Sequence, residues 1–279
     1  MSRTDNMIKR AIFCTLLILI ASLKVMGTPY CDVRKFSIID GLAANTISGI
    51  AQTPDRLMWF STWNGISYYD GNSFHTFRDD ADDIDLLSTN RFMGIYATDR
   101  NNVWCITAGR ELYVYDTKQC TFAAVGNQIN ELYNIDLKVD KIYPIKRGNT
   151  WITTQNGNYL IRVHGLIRDG MNPEILKVGQ DGLRSGYVWH IWSDKKKREW
   201  ILTDKGTTIY HHHFSTPIPF KWVREVGDNI FLATVDGRLA VYDETNKLNM
   251  IPLPAGVTRI NQLKNTGYQL LIATNLGLV

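Results

Sequence analysis

Short runs of apolar, β-branched and aromatic residues alternate along this chain with polar turns, and one phrase of about seven residues recurs. It reads WFSTWNG at 59–65, WCITAG at 104–109, WITTQNG at 151–157, WILTDKG at 200–206, FLATVDG at 231–237 and LIATNLG at 271–277. The steps between copies are 45, 47, 49, 31 and 40 residues. Thr stands fourth in every copy: Thr62, Thr107, Thr154, Thr203, Thr234 and Thr274. Gly closes each copy, with Gly109 one residue early in the second.

The first four letters predict a strand, because they are aromatic and β-branched. The polar residues and Gly that follow predict a tight hairpin, since they accept positive φ. The recurring Thr is expected to bond the turn backbone through its hydroxyl. A second strand follows (ISYYD, ELYVYD, NYLIRV, TTIYH, RLAVYD), and a further one begins at FHTF and TFAAV. Another strand precedes each phrase (TISGIAQT, FMGIYAT, KIYPIK, VWHIWSD, RINQLK). Four short antiparallel strands in 40–45 residues make a β-propeller blade. No 3.6-residue apolar stripe suggests a helical repeat.

The expected fold class is therefore all-β, a propeller of four-stranded antiparallel blades over residues 35–279. Six units are visible and read as part of a seven-bladed ring that is incomplete at the C-terminus. The stretch KFSIIDGL at 35–42 is expected to be a lone strand completing the last blade.

Residues 1–27 read as a signal peptide or N-terminal anchor: Lys9 and Arg10 precede a thirteen-residue apolar run from Ala11 to Leu23, too short for a membrane span. This predicts export, to the periplasm. The net charge is +4, but residues 1–27 hold Arg3, Lys9, Arg10, Lys24 and Asp5, so the remainder carries only +1. Such balance gives no case for a nucleic-acid partner. Of four cysteines, Cys14 lies in the signal; Cys31, Cys105 and Cys120 form neither a disulfide framework nor a zinc pattern. Cys105 reads as a buried free thiol, with a Cys105–Cys120 bridge across one blade as the alternative.

Candidate chemistry is sparse. On a strand the histidines at 211–213 would point to alternate faces and could not converge on one ion, so they read as a strand end or solvated turn. The acidic run at 79–87 lacks the Gly and terminal Glu of a calcium loop. Lys195 to Arg198 is too short for a nucleic-acid face. No catalytic residue, metal site or cofactor is assigned. Ligand binding is assigned to the rim that the hairpin turns share with the inter-blade connections. There the candidates are Trp63, Asn64, Arg110, Asn156 and Tyr187, beside Gln155, Asp204 and Asp236. Aromatic faces with amides and charges can hold a sugar.

Residues 40–77, DGLAANTISGIAQTPDRLMWFSTWNGISYYDGNSFHTF, resemble the two-component regulator propeller repeat, and DGLRSGYVWHIW at 181–192 and RLAVYD at 238–243 repeat parts of it. The resemblance implies the periplasmic sensor region of a Bacteroidetes-type hybrid two-component system that responds to a glycan fragment and dimerises through its propellers. It also implies a membrane span, a kinase and output domains, none of which this chain contains. The alternatives are a stand-alone propeller lyase or hydrolase and a protein-binding scaffold.

Overall fold

The computed structural model describes residues 33–279 apart from 79–86, 99–101, 118–119, 146–147, 165–172, 181 and 268. The predicted signal or anchor, Cys31 and most of the acidic run lie outside the described residues. A compact unit runs from Ser37 to Val279.

Each recurrence of the seven-residue phrase supplies the second strand and the turn after it in a sheet of its own. Blade 1 comprises β1 (Ile47–Gln52), β2 (Met58–Thr62), β3 (Gly65–Tyr69) and β4 (Phe74–Phe77). Blade 2 comprises β5 (Phe92–Ala97), β6 (Asn102–Thr107), β7 (Leu112–Asp116) and β8 (Thr121–Ala123). Blade 3 comprises β9 (Val139–Ile145), β10 (Asn149–Thr154), β11 (Tyr159–His164) and β12 (Glu174–Lys177). Blade 4 comprises β13 (Val188–Ser193), β14 (Glu199–Thr203), β15 (Gly206–Ile209) and β16 (Ser215–Thr216). Blade 5 comprises β17 (Trp222–Val226), β18 (Asn229–Ala233), β19 (Leu239–Tyr242) and β20 (Leu248–Ile251). Blade 6 has three strands, β21 (Ile260–Asn265), β22 (Leu270–Thr274) and β23 (Gly277–Leu278). Within every sheet the strands pair antiparallel in chain order, the meander expected of a propeller blade.

The sheets pack face to face, and each of five clusters of buried apolar residues spans two consecutive blades. This explains why the phrase strands are apolar at nearly every position: both faces are covered. Trp59, Trp104, Trp151 and Trp200 open the first four copies and are fully buried. Three of them meet a tyrosine of the next blade. Trp59 lies 5.0 Å from Tyr115, Trp151 4.9 Å from Tyr210 and Trp200 5.1 Å from Tyr242, ring centre to ring centre. Such pairs add about 0.5–1.5 kcal/mol each beyond their buried area. Val163 takes the tyrosine's place in blade 3, and Trp104 shares its apolar cluster.

Two features depart from expectation. Residues 35–42 form no strand: Ile38–Asp40 is one turn of 3-10 helix, closed by a capping box between Ser37 and Asp40. The segment then binds its own first blade, where the Ala43 N–H donates to Ser67 Oγ across 2.9 Å and Thr76 Oγ1 donates to the Gly41 carbonyl. The second departure is a helix, α1 (Val125–Tyr133), in the connection from blade 2 to blade 3. Val125 and Ile129, four residues apart, bury one of its faces. A nine-residue helix carries too little periodicity to stand out in a β-rich sequence.

Candidate functional site

The recurring Thr builds the turn. In blades 1, 4 and 6 its hydroxyl accepts the N–H two residues on and donates to the Gly carbonyl three residues on: Thr62 with Asn64 and Gly65, Thr203 with Lys205 and Gly206, Thr274 with Leu276 and Gly277. The hydroxyls of Thr107 and Thr234 instead accept the N–H four residues on. In blade 3 the Thr154 hydroxyl donates to Asn156 Oδ1 and to the Tyr159 carbonyl, so in all six copies the Thr hydroxyl bonds within its own hairpin, though not by one pattern.

The connection entering each blade lies against that blade's turn. The residue just before the innermost strand accepts the N–H of the residue after the Thr in four blades: Arg91 from Ala108, Lys138 from Gln155, Tyr187 from Asp204 and Arg259 from Asn275. Turns also bond onward. The Gly65 N–H donates to the Asn90 carbonyl, the Val139 N–H to the Arg110 carbonyl and the Ile260 N–H to the Val235 carbonyl. Turns and connections therefore form one rim.

On this rim the five candidates divide. Asn64 donates to the Ala43 carbonyl across 3.4 Å, and its own carbonyl accepts from Arg78. Arg110 reaches the Val139 carbonyl and sits 3.8 Å from Asp140. The Asn156 side chain accepts from Thr154 and from the Asn158 N–H. These three side chains hold the rim together. Trp63 and Tyr187 are 56% and 60% exposed, so both rings are open to a ligand. No interaction joins Trp63 in blade 1 to Tyr187 at blade 4. Tyr187 reaches the turn that carries Asn156, packing its ring about 3.2 Å from where a Cβ on Gly157 would stand.

That packing depends on glycine at two positions. Gly157 holds φ at +63°, and Gly186 approaches the Gly157 backbone so closely that any Cβ would collide with it. Tyr187 thus lies between the turn of blade 3 and the turn of blade 4. A hollow of about 420 Å³ beside the blade 3 turn is lined by Lys138, Gln155 and Asn156. Another of about 430 Å³ beside the blade 4 turn is lined by Arg184 and Lys205. Both fall in the usual size range of small-molecule sites. Asp204, whose N–H donates to the Tyr187 carbonyl, has a buried Oδ1 with no partner among the described residues.

Sequence reading missed a further cluster on the same rim. Trp189 is 36% exposed, and the Lys221 ammonium lies 6.0 Å from its ring and 5.4 Å from that of Trp222. The signal was the doublet of aromatic and basic residues at the start of an innermost strand. Below it, burial and then the Arg224 charge hold the His190 pKa down. Burial and then Asp140 push the Tyr143 hydroxyl up to about 12.

Elsewhere, the histidines at 211–213 occupy an exposed turn after β15, and His211 pairs with Glu174 at 3.3 Å. His211 and His212 border a cleft of about 530 Å³ between blades 3 and 4 whose floor is Leu176, Leu183 and Ile209. Lys195 to Arg198 form the turn between β13 and β14, where Arg198 folds back on Asp194 at 2.6 Å. Cys105 and Cys120 are both free thiols. Among the described residues no group of three His, Cys, Asp or Glu side chains converges as a metal site, and no helix is long and apolar enough to cross a membrane.

No protein-family model matches the chain, and no curated protein is similar to it. Solved structures do match. The extracellular domain of a hybrid two component system from B. thetaiotaomicron superposes with a TM-score of 0.56 at 18% identity, over 88% of this chain and 34% of that one. The extracellular domain of a one component system from the same organism gives 0.52 at 16%, over 89% and 36%. The chain thus spans about a third of the length of these two domains. Virginiamycin B lyase from Staphylococcus aureus gives 0.50 at 14% identity, over 81% and 76%. The shared property is the propeller fold, which hosts sensors and lyases alike.

Proposed function

We propose that this chain is the ligand-binding propeller of a hybrid two-component sensor. It works in the periplasm and takes a glycan fragment on the rim where the hairpin turns and connections meet. The observation that carries this reading is Tyr187: a ring 60% exposed, fixed between two turns by Gly157 and Gly186, with the unpartnered Asp204 carboxylate oxygen in the adjoining turn. A sugar ring stacks on such a face while its hydroxyls take directed hydrogen bonds. Trp63 offers a second open face on the first blade. Binding that favours one arrangement of a propeller dimer biases a distant kinase, which belongs to the full-length sensor and not to these residues. The likeness to extracellular sensor domains supports the reading at the level of fold.

The test is a thermal-unfolding screen of the full chain against pools of plant and host oligosaccharides. A ligand at 100 times its Kd stabilises by about 2.7 kcal/mol, an easily read shift. One pool should raise the Tm, and Tyr187→Ala should abolish that shift while unfolding at the parent temperature. No shift from any pool, or the appearance of cleaved glycan, would overturn the proposal; the second result would favour the lyase reading.

A further inference from the structure

The rim beside Tyr187 is flanked by cations. Lys138 lines the hollow next to the blade 3 turn, and Arg184 and Lys205 line the one next to the blade 4 turn. Lys221 stands further along, between Trp189 and Trp222. The equivalent positions entering blades 2 and 6 are Arg91 and Arg259, so four of the connections carry a basic residue just before the innermost strand. All six of these side chains are exposed. Two acidic residues stand among them: Asp136, which lines the same hollow as Lys138, and Asp204, which precedes Lys205 and whose buried Oδ1 is left for a sugar hydroxyl at Tyr187. Asp136 sits loosely on Lys138 at 3.8 Å, and Arg184 and Arg259 bond to neutral Ser215 and Asn261. The chain beyond residue 27 is close to neutral, so this basic rim is a local concentration and not a property of the whole surface.

We infer that the rim takes an acidic oligosaccharide, one bearing uronate or sulfate groups, with one sugar ring on Tyr187 and acidic groups on either side at Lys138 and at Arg184 and Lys205. The inference rests on the rim reading above and narrows it to a ligand class. Three features fit together. An aromatic face selects a sugar ring over a bare polyanion. One hollow lies beside the blade 3 turn and the other beside the blade 4 turn, and Tyr187 touches both turns, so a linear chain with one ring on Tyr187 extends toward cations at either turn. The cations are exposed and lightly paired, so an incoming carboxylate or sulfate gains their charge without breaking a buried salt bridge.

Isothermal titration of the full chain tests this, with tetragalacturonate, its fully methyl-esterified form, a heparin-derived tetrasaccharide and an oligothymidylate of equal charge. The acidic tetrasaccharides should bind, the one preferred naming uronate or sulfate as the recognised group. The neutral ester should bind at least tenfold more weakly. Lys138→Ala and Lys205→Ala should each weaken acidic binding about fivefold or more at unchanged Tm. Raising salt from 50 to 500 mM should weaken it further, since screening falls within these distances. Equal binding of ester and acid, lost in Tyr187→Ala, would overturn the acidic-ligand inference and leave the rim reading standing. Equal binding of oligothymidylate would overturn it too, as mere charge attraction. No binding of any saccharide, acidic or neutral, would remove both.

Discussion

The indole N–H of Trp151 in blade 3 donates to Glu199 of blade 4 across 2.8 Å. The same carboxylate takes a two-pronged bond from Arg162 at 2.8 and 2.9 Å, while the Arg162 guanidinium lies over the rings of Trp151 and Tyr210. The Arg162 and Glu199 side chains are only 10% and 8% exposed. One acidic residue therefore fastens two blades through a charge that is fully paired.

Removing that carboxylate strands a buried cation and a buried indole N–H. Glu199→Ala should cost about 3–5 kcal/mol, the usual penalty for breaking a buried pair from one side. Urea unfolding of the two proteins measures it. A double variant, Glu199→Leu with Arg162→Met, should recover much of the loss, because well-packed apolar replacement of such pairs is often neutral.

Gly186→Ala should damage the rim and not merely the fold. Its methyl group would collide with the Gly157 backbone, so the turn of blade 3 and the Tyr187 ring must move apart. A cost of about 1–3 kcal/mol is expected for such overpacking. Ligand affinity at Tyr187 should fall along with stability, whereas Tyr187→Ala should lower affinity alone.

Stability should decline in mildly acidic solution. Burial holds the pKa of both His190 and His164 below the ordinary value, with Arg224 and Arg162 respectively adding to it. A folded pKa below the unfolded one means that the unfolded chain binds the extra proton first. Stability is therefore complete above about pH 6.5 and is lost as pH falls from there through the depressed folded values. Melting curves at pH 7.5 and 5.5 should show the drop, and His190→Gln should make it smaller.

The two described cysteines should react differently. Burial pushes the Cys105 thiol pKa well up, while Cys120 is exposed. A maleimide should label Cys120 in the native chain and reach Cys105 only after unfolding, because the thiolate is the reactive form. Mass spectrometry of labelled peptides checks this.

The blades were legible because their signal is repeated. Thr62, Thr203 and Thr274 mark one turn geometry, and the glycine after each marks its end, so six weak hints reinforce one another. Trp59, Trp151 and Trp200 were readable as strand residues, but their tyrosine partners were not, since those lie a whole blade further along the chain. What appears once was harder to read. Residues 35–42 look like a strand by composition, yet Ser37 caps a 3-10 turn over 38–40 and donates its N–H to the Asp40 carboxylate. At the rim, residue type alone could not separate Asn64, Arg110 and Asn156, which bind backbone and a neighbouring side chain, from Trp63 and Tyr187, which face solvent. Lys138, Arg184 and Lys205 became visible only once the hollows beside Tyr187 were known.

Hydrogen–deuterium exchange of the full chain, with and without a saturating glycan found by the unfolding screen, tests the central claim most directly. Protection should concentrate at 154–158, 184–189 and 203–206, the two turns and the connection that frame Tyr187. Protection confined to the opposite rim or to the cleft between Glu174 and Tyr210, with these segments unchanged, would contradict it.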